Sequence, residues 1–131
     1  DAYILKTDFA DIAWASYDIE INTTGADATL AQRAGELLTT SPLCMIKKTK
    51  SGEKEIDIIP LIRSVDTAFD QTEGTLKLSC VLSASSTEYL NPEMLITAMK
   101  QSLAIMNGDP TKEWYTIMRT GLYTKDMVIF K

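Results

Sequence analysis

The chain has 131 residues, 45% of them hydrophobic and 24% charged, a length and balance that suit one globular domain with a core of its own. Its net charge of −5 argues against generic coating of nucleic acid, and the absence of histidine removes the usual general base and the usual catalytic triad. No apolar run approaches the roughly 20 residues that span a bilayer, and no basic–apolar–small signal pattern opens the chain.

Ala15, Tyr17, Ile19 and Ile21 alternate with Ser16, Asp18 and Glu20, the period of a half-buried strand. Thr23-Thr24-Gly25 ends it. Leu30, Ala34, Leu37 and Leu38 then recur at helical spacing, with Gln32, Arg33 and Glu36 on the other side. Ser41-Pro42 stops this helix, because a residue before proline avoids helical dihedrals. Leu43 to Lys50 predicts a strand, Ser51-Gly52 a turn, and Lys54 to Ile59 the returning strand of a hairpin. Pro60 has no N–H for the ladder. Ile62 to Asp70 reads as another strand, and Gln71 to Gly74 as a turn. Leu76, Leu78, Cys80 and Leu82 mark the next strand. Asn91-Pro92-Glu93 starts a second helix with a capping amide, a proline suited to the first turn and a dipole-matched acid. Its expected buried stripe is Leu95, Met99, Ser102, Leu103 and Met106, and Asn107-Gly108 with Pro110 its stop. Trp114 to Tyr123 closes the order as a strand. The expected fold is α+β, a mainly antiparallel sheet with two helices on one face, on a ferredoxin-like plan with an added hairpin.

Chemistry-bearing motifs are sparse. Cys44 and Cys80 are too few for a structural zinc or an iron–sulfur cluster. Both fall on apolar strand runs, so buried, reduced thiols are expected. The six glycines are scattered, giving neither a dinucleotide loop nor a P-loop. No cofactor, no metal and no catalytic residue is expected, and this chain alone is expected to catalyse nothing. Glu55 and Asp57, with Glu53 beside them, share one face of a predicted strand and read as solvated. Trp14, Trp114, Tyr17 and Tyr115 read as core packing against the strands rather than as stacking platforms. The distinctive cluster is Lys47, Lys48, Lys50 and Lys54, four of the thirteen basic residues, around the hairpin turn. Such a tip can reach phosphates. Lysines on a strand also prevent edge-to-edge pairing, and the three neighbouring carboxylates dilute the charge.

The segment from Lys47 through Thr49-Lys50-Ser51-Gly52, Ile56-Asp57-Ile58 and Pro60-Leu61-Ile62 resembles the C-terminal half of the bacterial radical SAM-linked protein family, a domain of unknown function. Ile59 stands where that family commonly has a basic residue. Ala13-Trp14-Ala15-Ser16-Tyr17 is similar to its opening strand, Asn91-Pro92-Glu93 to its second helix start, and Arg119 with Leu122 to its closing strand. The resemblance implies that residues 1–131 form one domain taken from the C-terminal part of a longer protein. It further implies a cytoplasmic role beside a radical SAM protein of the cobalamin-binding type, in RNA modification, and it carries over no catalytic residue. The expected function is an accessory module presenting RNA to that enzyme, with Lys47, Lys48, Lys50 and Lys54 as contacts and Arg119 as a further one. The alternative is a protein-interaction or dimerisation domain that uses a sheet edge.

Overall fold

The computed structural model describes residues 12–23, 26–85, 89–103, 105–106 and 113–124. Its elements are strand β1 (Ile12–Asn22), helix α1 (Ala28–Leu37), strands β2 (Cys44–Thr49), β3 (Gly52–Asp57), β4 (Ile62–Asp70) and β5 (Thr75–Ser83), helix α2 (Glu93–Leu103) and strand β6 (Trp114–Thr124). A 3-10 turn at Ile59–Leu61 carries Pro60, where no ladder hydrogen bond is required.

Four strands form one antiparallel sheet in the order β4-β5-β1-β6. β5 therefore lies between β1 and β4, and β1 lies between β5 and β6. This is the split βαβ plan, and the β2–β3 hairpin is an insertion between α1 and β4. The two central strands hold the core. Ile21 faces Leu76 across the ladder, Ile19 faces Leu78, Tyr17 faces Cys80 and Ala15 faces Leu82. All eight are buried and share one cluster with Leu30, Ala31, Ala34 and Leu38 of the first helical segment and Leu95, Ile96, Ala98 and Met99 of α2. Both helices thus cover the same face of the sheet.

Local chemistry explains the boundaries. Asp27 caps α1 by accepting from the Leu30 N–H at 2.8 Å. The helix ends at Leu37, four residues ahead of the cis Ser41-Pro42 bond. Asn91 caps α2 by accepting from the Glu93 N–H at 3.0 Å. Asp70 accepts from the N–H groups of Thr72 and Glu73, and Gly74, with φ of +69°, completes the β4–β5 turn. The ends of β1 and β6 are tied through Thr23, whose hydroxyl donates to the buried Glu113 carboxylate and accepts from the Met106 N–H at 2.9 Å.

Three expectations about burial need correction. Ser102 is exposed, and Ile96 and Ala98 are buried instead, because α2 is rolled so that the stripe through Leu95 and Met99 meets the sheet. Trp114 is 40% exposed on the edge strand rather than packed in the core. Cys80 is buried as expected, but Cys44 is exposed at the start of β2. Its neighbour Met45 takes the inward position, and alternation turns Cys44 out. The expected helix stop at Asn107-Gly108 lies outside the described residues, in which no helix is long and apolar enough to cross a membrane.

The thiols should consequently behave differently. Burial pushes the Cys80 thiol up to about 12, with the Asp18 charge adding to the effect. Little thiolate exists there to react. Titration of the native protein with a disulfide reagent should label one thiol per chain at once and the second only after denaturation. Prompt labelling of both, or of neither, would contradict this packing.

Candidate nucleic-acid interface

The hairpin register separates the four lysines. Lys47 lies opposite Lys54, Lys48 opposite Glu53, and Lys50 is in the turn. Position 48 is therefore out of phase with 47 and 54, and the side chain of Lys48 lies outside the described residues. Lys47 and Lys54 share the hairpin face that carries Met45 and Ile56. Two like charges directly opposed would weaken the pair. The Lys47 ammonium is instead drawn off by the Tyr89 carbonyl, to which Nζ donates at 3.1 Å. Lys50 and Lys54 are exposed. Among the described residues neither of them forms an ion pair, nor does Arg119; Lys77 holds all those that are seen.

The Lys47 contact leads to a second feature. Tyr89 sits where a loop closes: Ala84 and Tyr89 form an isolated bridge, and the Leu90 N–H donates to the Ser83 carbonyl at 2.9 Å. This brings the Tyr89 ring, 46% exposed, beside Tyr17 of β1 and Arg119 of β6. These three side chains line two adjoining cavities. One, of about 360 Å³, is completed by Ile12, Ala15, Ala84, Ser85 and Leu122. The other, of about 410 Å³, is completed by Asn91, Pro92, Glu93 and Ile117. Burial raises the Tyr17 hydroxyl to about 12, helped by the charge of Tyr89 and a hydrogen bond with its hydroxyl, and opposed by the Arg119 charge. Tyr17 stays a protonated phenol at any physiological pH. Glu93 accepts from the Tyr115 hydroxyl at 2.5 Å, which holds that phenol above its usual range.

Glu55 and Asp57 do not act as a pair. Asp57 is structural: its carboxylate accepts from the Ser41 hydroxyl and from the N–H groups of Leu43 at 2.9 Å and Ile59 at 3.1 Å, and these bonds hold it below the usual carboxylate range. Glu55 stands across from the exposed Ile46. No group of three or more histidine, cysteine or acidic side chains that could hold a metal occurs among the described residues.

The face of the sheet away from the helices, uncovered among the described residues, carries the opposite charge. Asp18, Glu20, Asp66 and Asp70 project from it, and Lys77 is shared by Asp70 at 3.1 Å, Glu20 at 3.6 Å and Glu73 at 3.9 Å. Trp14, which could stack on a base there, lies under the Arg63 guanidinium at 5.3 Å. A strand of phosphates would be repelled by this face.

Arg119 was marked by its likeness to a closing strand, and the structure places it beside Tyr17 and Tyr89, whereas Lys47 reaches the Tyr89 carbonyl but lines neither cavity. Tyr17 and Tyr89 were missed as a pair. Tyr17 reads as a core position of an alternating strand, and nothing local connects it to a residue 72 positions later.

Over residues 6–92 the sequence matches a family described as uncharacterized proteins conserved in bacteria (DUF2344). The match spans more than half of the chain. This protein belongs to that family. The hairpin and the Tyr17–Tyr89 pair lie within the matched segment, and Arg119 lies beyond it. No curated protein and no solved structure matches the chain.

Proposed function

We propose that this chain is an accessory module that holds RNA for a radical SAM enzyme of the cobalamin-binding type, in the cytoplasm, without a reaction of its own. The observation that carries the RNA part is the meeting of Arg119 with Tyr17 and Tyr89, from segments far apart in sequence, where Lys47 of the hairpin also reaches the Tyr89 carbonyl. Arg119, which forms no ion pair among the described residues, beside an exposed aromatic ring suits a single strand, whose phosphate takes the charge and whose base takes the ring. The acidic open face directs a polyanion to this end of the molecule. The enzyme partner is inferred from the resemblance of the hairpin segment.

One feature favours a different reading, a protein-interaction or dimerisation module. β6 is an edge of the sheet among the described residues, and Met118 on it is 66% exposed. Ultraviolet cross-linking of the protein to RNA in a bacterial extract, followed by peptide mapping, separates the two. Adducts at Tyr89 or on the hairpin are expected. Adducts confined to the acidic face, or none, would leave the interaction reading in possession.

A further inference from the structure

We infer that the two cavities flanking Tyr89 form one binding site for a single nucleotide with its phosphate. The inference rests on the RNA reading for the origin of that nucleotide, but not for the chemistry that binds it.

The cavities differ in a way that orients the ligand. Among the described residues, Arg119 is the only charged residue lining the one of about 360 Å³, with the protonated Tyr17 hydroxyl close by. A guanidinium fork matches the oxygens of a phosphate. The N–H groups of the first turn of α2 are not the donors, because Glu93, Met94 and Leu95 already give theirs to Asn91 and Pro92. The cavity of about 410 Å³ shares Arg119 with the first but adds the Glu93 carboxylate and Asn91. A carboxylate repels a phosphate but accepts from an exocyclic amino group, as acidic side chains do from the cytosine amine. The phosphate therefore lies in the cavity away from Glu93, against Arg119. The base crosses the ring of Tyr89 and turns its amino edge to Glu93 and Asn91. Together the volumes fall within the range of small-ligand sites. Cytosine fits this polarity, whereas uracil presents a carbonyl oxygen to the carboxylate.

The test uses cytidine 5′-monophosphate, uridine 5′-monophosphate, cytidine and inorganic phosphate as probes, with binding followed by amide chemical shifts. Cytidine monophosphate is expected to bind about tenfold tighter than uridine monophosphate, since one base contact discriminates by about that factor. It should also bind more tightly than cytidine or phosphate alone. Arg119→Gln should remove the advantage over cytidine. Tyr89→Leu should weaken the mononucleotide about tenfold, the usual effect of losing one stacking ring. Glu93→Gln should reduce the preference for cytosine while leaving the amide spectrum folded. Cytidine monophosphate binding no better than phosphate, or binding indifferent to both Arg119→Gln and Tyr89→Leu, overturns the inference. Oligocytidylate run in parallel separates the two claims. If the oligomer binds and the mononucleotide does not, the cavity inference fails and the RNA reading stands. If the mononucleotide binds and the oligomer gains nothing, the RNA reading fails and the site stands.

Discussion

Leu78→Ala is expected to lower the stability of the protein by about 2–5 kcal/mol, the range for a buried leucine truncated where its surroundings cannot close in. Leu78 is 1% exposed and lies on β5, with Ile19 of β1 on one side and Thr67 of β4 on the other. Strands hydrogen-bonded on both sides cannot shift to fill the void, and the buried residues of both helices cover it from above. Urea denaturation should show an earlier midpoint with an unchanged slope. Heating should show a midpoint roughly 10 °C lower for a chain of this size. Lys54→Ala, an exposed hairpin change, should stay within about 0.5 kcal/mol. A loss below about 1 kcal/mol for Leu78→Ala would mean that β5 is not a central strand.

The second large effect concerns salt. Each phosphate neutralised on a single strand contributes about 0.7 to the slope of log affinity against log salt, through released counterions. Lys50, Lys54 and Arg119 form no ion pair among the described residues, so each is available to a phosphate. Replacing Lys50 and Lys54 by alanine and Arg119 by glutamine should flatten the slope by about two units. Affinity at about 0.1 M salt should fall by roughly a hundredfold. Lys47 is left in place, because its bond to the Tyr89 carbonyl holds the loop and its loss would confound charge with structure. The net charge of −5 keeps the absolute affinity low. An unchanged slope in the triple variant, with an unchanged melting midpoint, would remove the hairpin and Arg119 from any role in binding polyanions.

The proposed radical SAM partner and RNA rest on resemblance joined to this geometry, whereas family membership rests on the match over residues 6–92. The hairpin that carries the most specific likeness is an insertion outside the four-stranded sheet. It is attached through Met45 and Ile56, and through the Ile58 N–H, which donates to the Leu43 carbonyl at 3.0 Å. Such an appendage keeps a charged tip in solvent while its root stays in the core, a placement that suits a contact element.

Element types and their order were written locally. The alternation of Ala15, Tyr17, Ile19 and Ile21, the Ser51-Gly52 turn and the Asn91 cap all act over a few residues, so both helices and the order of elements could be read without the fold, with two to three strands expected between the helices where four occur. The split βαβ plan followed, because few arrangements bury two amphipathic helices on one antiparallel sheet. Parity and rotation did not follow. Whether Cys44 or Met45 faces inward depends on how the hairpin root meets α2 and the core. Whether Ser102 or Ile96 is buried depends on the roll of α2 over the sheet. The register Lys47↔Lys54, set by the turn at residues 50–51, split a cluster that looked continuous in sequence. The candidate site itself, with Tyr17, Lys47, Tyr89 and Arg119 drawn from four separate segments, exists only because β1 lies beside β6 while the hairpin reaches the loop before α2. Periodicity is a property of neighbours along the chain, whereas a site assembled across the chain is decided by packing.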